Sequence, residues 1–175
     1  MECFDFRLKA PFCMTISGES QSGKSTLVKD ILLRRYELIY VPIDDILYCY
    51  SEFQEGFNKL KSAIPTIKFH EGLPTSFADP FDRHRLIILD DLMSEVCANK
   101  KIVNSLFTKL SHHHNVSVIY LTQSFFEKEQ KVLTSNCQYI CFTKSPREVS
   151  KVLCFGRQLT RNGKKIWLWK TVTIM

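Results

Sequence analysis

Residues 14 to 26, "MTISGESQSGKST", meet the pattern G-x-x-x-x-G-K-[ST] without a mismatch. Glycines at 18 and 23 free backbone N–H groups to turn inward on phosphate oxygens. Lys24 is expected to reach the β- and γ-phosphates, and the Ser25 hydroxyl to ligate Mg²⁺. The whole run Gly18, Glu19, Ser20, Gln21, Ser22, Gly23, Lys24, Ser25 and Thr26 is then the cradle for a nucleoside triphosphate. A helix starting near Lys24 adds its positive end to the same spot.

Such a loop needs a carboxylate on the metal side. "LIILDD", 86 to 91, supplies one at the end of an apolar run, so Asp90 is expected to hold Mg²⁺ through water. A second acid directly after it, Asp91, can polarise the attacking water and make the site hydrolytic; the alternative is a cap on the following turn. "VIYLTQ", 118 to 123, ends with Gln123, which can touch both the γ-phosphate and the water as a sensor, although polar residues also end strands for trivial reasons. The expected catalytic set is therefore Lys24, Asp91 and Gln123, with Ser25 and Asp90 on the metal, and ATP with Mg²⁺ as the bound species.

The same segments argue against other phosphate-loop chemistries. A GTPase needs a base-reading Asp, but Thr143-Lys144-Ser145 runs into Pro146, and no glycine follows Asp90 at the required spacing. A nucleotide kinase stays open as an alternative. "GRQLTRNGKK", 156 to 165, passes for a lid with Arg157 and Arg161, yet a kinase gains nothing from a water-polarising acid. A catalytically weak nucleotide-binding scaffold is the third reading.

These residues need strands to carry them. "FCMTIS", 12 to 17, reads as a buried strand and the period of Leu27, Val28, Ile31 and Leu32 as a helix. "ELIYVPI", 37 to 43, reads as a second strand, and 44 to 64 as partly helical. Residues 66 to 84 mix turn signals with aromatics and read mostly as loop. "RLIILDD", 85 to 91, "VSVIYLTQ", 116 to 123, and "YICFT", 139 to 143, read as buried strands. Ile102, Val103, Leu106, Phe107 and Leu110 mark a helix, and Ser145-Pro146 opens another. All-apolar strands alternating with helices give a three-layer α/β domain with about five strands in a mainly parallel sheet.

Composition sets the background. The chain has 175 residues, 45% hydrophobic and 24% charged, as an ordinary globular domain does. No apolar run reaches the roughly 18 residues of a membrane helix, and "MECFDFRLKAPF" does not read as a secretory signal. Seven cysteines, with no C-x-x-C pair, fit a reducing compartment. Cys137 and Cys141 with His112 to His114 have the wrong spacing for a zinc finger. The net charge of +6 is uneven: from residue 144 onward eight bases face the single acid Glu148, giving +7, which leaves −1 for the rest. A basic end beside a near-neutral body suits either a polyanion or plain solubility.

"GESQSGKST", "LIILDDLMSE", "LFTKLSHHHNVSVIYLTQSFF" and "YICFTKSPREVSKVL" stand in the same order as in the poxvirus-type DNA-packaging ATPases, which this chain resembles over roughly residues 12 to 158. The likeness is nearest to versions in Polinton/Maverick elements. The resemblance implies a P-loop NTPase of the RecA-like (ASCE) type within the FtsK/HerA superfamily. It further implies a homo-oligomeric ring that drives double-stranded DNA into a capsid without a membrane, inside the cell in nucleus or cytoplasm. It puts Lys24, Ser25, Asp90, Asp91 and Gln123 in the roles given above. It also implies an arginine acting across subunits, for which Arg147, Arg83 and Arg85 are candidates. His112, His113 and Asn115 match the family pattern without a role of their own.

The end of the chain departs from that pattern. "RNGKKIWLWKTVTIM" carries no resemblance, and Asn162-Gly163 could turn a hairpin into an alternating edge strand. The expected division is an ATPase domain over 1 to 158 and a basic extension over 159 to 175.

Overall fold

A strand buried on both faces needs apolar side chains at odd and even positions alike, and the central segments here have them. The computed structural model describes residues 5, 7–77, 83–107, 115–127, 133 and 135–161, with backbone alone for 159–161. Its strands are β1 (Cys13–Ser17), β2 (Asp45–Tyr50), β3 (Lys68–Glu71), β4 (Arg85–Asp90), β5 (Val116–Thr122) and β6 (Tyr139–Phe142). Its helices are α1 (Lys24–Leu33), α2 (Arg35–Leu38), α3 (Gly56–Ala63), α4 (Met93–Ala98), α5 (Lys100–Ser105) and α6 (Val149–Arg161). Among the described residues the sheet has six strands, all parallel, in the order β3-β2-β4-β5-β1-β6. This is the expected three-layer P-loop NTPase architecture.

Alternation along the strands divides the core into two layers. Leu86 and Ile88 of β4 join Ile119 and Leu121 of β5 in a cluster with Val28, Ile31 and Leu32 of α1 and with Phe57 and Leu60 of α3. Ile87 and Leu89 face the other way, with Val118, Tyr120, Val96, Val103, Leu106 and Phe107. Each fully buried Leu or Ile contributes about 1.5–3 kcal/mol relative to exposure. β4 is buried at all six positions, so the strand that carries Asp90 is anchored on both sides.

Two expectations are corrected. Residues 37 to 43 do not form the second strand: Arg35–Leu38 is a short helix, and Ile39 makes one isolated bridge to Leu8. Pro42 has no N–H to give a central ladder. The second strand is instead β2, in the segment expected to be partly helical. "DILYCY" is rich in β-branched and aromatic residues, and it buries Ile46 and Tyr48 on one face and Cys49 on the other. Helix begins only at Gly56. Within the expected loop lies β3, an edge strand exposed except for half-buried Phe69. With a single apolar anchor it leaves no readable period.

Elsewhere the expected elements stand close to their places. Pro146 opens a 3-10 turn, Pro146–Glu148, which leads into α6. Leu110, His112 and His113, and the hairpin expected after Asn162, lie outside the described residues. Among the described residues six cysteines are free, and no described helix is long and apolar enough to cross a membrane.

Candidate functional site

Parallel strands deliver their carboxyl ends to one edge of the sheet, where α/β proteins bind ligands. Here β5 lies between β1 and β4, with Ser17 paired to Thr122 and Asp90 paired to Leu121. The loop after β1, Gln123 after β5 and Asp90-Asp91 at the end of β4 therefore meet at one place. The sequence singled out these residues separately; the strand order brings them together.

The phosphate loop is held from both sides. The Gly18 N–H donates to the Thr122 carbonyl (3.2 Å) and the Glu19 N–H to the Lys144 carbonyl (3.3 Å). Thr143 donates its N–H (2.8 Å) and its hydroxyl (3.2 Å) to the Ser17 carbonyl, and the hydroxyls of Ser22 and Thr143 are 2.6 Å apart. A Cβ on Gly18 would stand 1.9 Å from Thr143 Oγ1, so close packing demands glycine there. Gly23 is glycine for another reason: as N-cap of α1 it has φ 92°, a left-handed conformation. No side chain caps α1 and its first turn holds no acid, so its leading N–H groups suit an anion. The side chains of Ser20, Gln21 and Thr26 are exposed, and that of Ser22 braces the loop.

Lys24 lies across the loop, its ammonium donating to the carbonyls of Gly18 (2.6 Å) and Glu19 (2.8 Å). Burial lowers its pKa, while the charges of Asp91 and Asp90 work the other way. Asp90 is buried, and burial raises its pKa; bonds from Tyr48 and Ser25 and the charge of Lys24 oppose that rise, and Asp91 adds to it. The Tyr48 hydroxyl donates to Asp90 Oδ2 at 2.6 Å, and burial beside this carboxylate pushes the phenol pKa up. The Ser25 hydroxyl and the Asp90 carboxylate are thus neighbours, hard oxygen donors of the kind Mg²⁺ takes, and the pair fits that ion. Asp91 is exposed with φ 54°, and its Oδ1 accepts from Gln123 Nε2 at 3.2 Å.

The three arginines part company. Arg85 is buried at the start of β4 and ion-paired with Asp45, its register partner. It stands about 16 Å along the strand from Asp90 of its own chain at 3.3 Å per residue, at the opposite end of the sheet from the phosphate loop. Arg83 precedes it at the same end of the strand. Arg147 is 92% exposed and lies 3.9 Å from Glu19 of the phosphate loop.

The profile of the Poxvirus A32 protein family matches residues 4–175. The chain belongs to that family. The match includes residues 159–175, where the sequence reading found no likeness. Among curated proteins, none matches this A32-family chain significantly. Among solved structures, the genome packaging NTPase B204 from Sulfolobus turreted icosahedral virus 2, in complex with ATP-gammaS, is 11% identical with a TM-score of 0.54. That alignment covers 89% of this chain and 88% of that one, and the likeness is one of fold. C. elegans PCH-2 aligns at 13% identity and a TM-score of 0.45, over 88% of this chain and 42% of its own.

Three residues around the candidate site escaped the sequence reading. Tyr48 lies in a segment expected to be partly helical, so its approach to Asp90 is not visible in the sequence. Thr143 and the buried Glu148 act across gaps of more than twenty residues: Thr143 fills the space beside Gly18, and Glu148 accepts from Ser124 Oγ (2.5 Å) and the Phe125 N–H (3.5 Å) just behind Gln123. An acid after Ser-Pro at a helix start reads as an ordinary capping residue, which hides this second use.

Proposed function

We propose that this A32-family chain is a Mg²⁺-dependent ATPase that drives double-stranded DNA during viral genome packaging. The observation that carries the reading is the convergence of the Gly18–Ser25 loop, Asp90, Asp91 and Gln123 at one edge of the sheet. Family membership and a fold shared with a viral genome packaging NTPase support it.

In this reading the loop N–H groups and the amino end of α1 hold the phosphates, and Lys24 trades its bonds to Gly18 and Glu19 for β- and γ-oxygens. Ser25 and Asp90 would hold Mg²⁺, which neutralises charge between those phosphates. Asp91 accepts a proton from the attacking water, and Gln123, bonded to Asp91, orients that water against the γ-phosphate. Water is then the acceptor, in keeping with hydrolysis rather than transfer to a second substrate. Residues 1–158 form the ATPase unit and 159–175 a basic extension. Lys144, Arg147, Lys151 and Arg157 are exposed and supply positive charge for DNA. The working form is a ring inside the cell, in nucleus or cytoplasm, in which the exposed Arg147 would be the arginine that reaches the nucleotide of a neighbouring subunit.

The test pairs ATPase rate with mass by light scattering, with and without duplex DNA. Turnover should rise with DNA, affinity for DNA should fall steeply with salt, and Asp91→Asn should retain ATP while losing turnover. Undiminished turnover in Asp91→Asn, or acceptor-dependent ADP formation indifferent to DNA, would sink the proposal.

A further inference from the structure

Tyr48 is fully buried in the middle of β2, two positions before Tyr50, the register partner of Asp90. Its ring is packed against Phe57 (centroids 5.0 Å apart) and Phe69 (5.5 Å), so α3 and the edge strand fix where the hydroxyl points. It points at Asp90 Oδ2, 2.6 Å away. The carboxylate that the sequence assigns to the metal therefore has one oxygen engaged by a phenol in the core.

This has a chemical consequence. Ca²⁺ takes six to eight oxygens in a flexible shell, whereas Mg²⁺ keeps a tight octahedron and holds on to several of its waters. We infer that Tyr48 is a positioning residue that makes this site select Mg²⁺ over Ca²⁺, by holding the Asp90 carboxylate in one orientation, so that it can receive a water of a tight octahedral shell but cannot adapt to a larger, looser one. The inference rests on the nucleotide site proposed above and adds to it the feature that chooses the cation. Tyr48 touches neither nucleotide nor metal; it acts through the carboxylate it holds.

The experiment reads binding rather than turnover. A fluorescent ATP analogue is titrated against the full chain with Mg²⁺, with Ca²⁺ and without metal, in the parent, in Tyr48→Phe and in Phe69→Leu. The parent should retain the nucleotide at least about tenfold better with Mg²⁺ than with Ca²⁺. Tyr48→Phe should weaken the Mg²⁺-dependent component by about 10- to 100-fold, the usual effect of losing a residue that orients a metal ligand. It should narrow the Mg²⁺/Ca²⁺ ratio and leave metal-free binding unchanged. Phe69→Leu keeps the hydroxyl but frees the ring, and should narrow the ratio by a smaller factor even if Tyr48→Phe fails to fold. A parent without cation preference, or a ratio unmoved in both variants, overturns the inference and leaves the nucleotide site standing. A parent that retains no nucleotide under any condition overturns both.

Discussion

The side-chain amide of Gln123 donates to the carboxylate of Asp91 across the ends of two neighbouring strands, at 3.2 Å. The contact depends on the backbone of Asp91, whose φ of 54° turns the chain sharply out of β4. Aspartate tolerates this left-handed conformation better than most residues, at a cost that glycine does not carry. Asp91→Gly should therefore melt no lower than the parent, with a gain of up to about 1 kcal/mol, while turnover falls by about 10²-fold or more. Thermal unfolding and ATPase rate on one preparation decide it. A variant that loses stability and activity together would make Asp91 a structural residue.

Gln123→Ala removes the donor and leaves the acid. If the amide orients the water, turnover should fall by about 10²-fold with little change in nucleotide affinity. Comparing kcat with the dissociation constant of a non-hydrolysable analogue checks this; a loss confined to affinity would contradict the role.

Gly18→Ala drives a Cβ to 1.9 Å from Thr143 Oγ1 and 2.8 Å from Ser22 Oγ. Overpacking of this kind costs about 1–3 kcal/mol, and nucleotide retention should drop with it. Adding Thr143→Ala removes the nearest obstacle, so the double variant should recover part of the loss. Urea unfolding of the four proteins in this cycle gives the coupling between the two sites.

Glu148 grips the segment behind Gln123. Glu148→Ala leaves the half-buried Ser124 hydroxyl and the buried Phe125 N–H short of an acceptor, at a cost of about 1–3 kcal/mol, and turnover should fall because Gln123 loses its support. Glu148→Gln keeps an acceptor oxygen and should be milder on both counts. Equal effects from the two variants, measured by urea midpoint and ATPase rate, would rule out the hydrogen-bonding explanation.

His84 gives a pH signature away from the site. It is half-buried, 2.9 Å from Ser117 Oγ, and burial lowers its pKa from the ordinary 6.5. The folded protein then holds fewer protons than the unfolded chain, so His84 costs nothing above pH 6.5 and lowers stability as pH falls below it. The stability of the parent relative to His84→Asn should accordingly decline from pH 7 to pH 5. Melting curves across that range test it; a difference constant with pH would remove the titration from the account.

The candidate residues could be picked out from the sequence because each piece is local. The loop from Gly18 to Ser25 is a contiguous pattern whose spacing fixes backbone geometry, and "LIILDD" and "VIYLTQ" are strands that end in the residues they present. β4 and β5 were legible because both of their faces are apolar. β2 was missed because "DDILYCY" follows Pro42 closely, and a short run of apolar and aromatic residues has no period that separates strand from helix. β3 was missed because an edge strand with one buried side chain looks like a loop.

By itself, then, the sequence determined the kinds of group available: a phosphate-holding turn, two adjoining acids and a strand-end amide, on an α/β scaffold. Only the tertiary structure decided their company. It set β5 between β1 and β4, stood Tyr48 under Asp90 and Thr143 against Gly18, tied Glu148 to the segment behind Gln123, and withdrew Arg85 into a buried pair with Asp45. The reason is physical: a pattern within a few residues constrains backbone angles directly, whereas a contact across dozens of residues exists only once strand order and register have brought two distant side chains to the same edge.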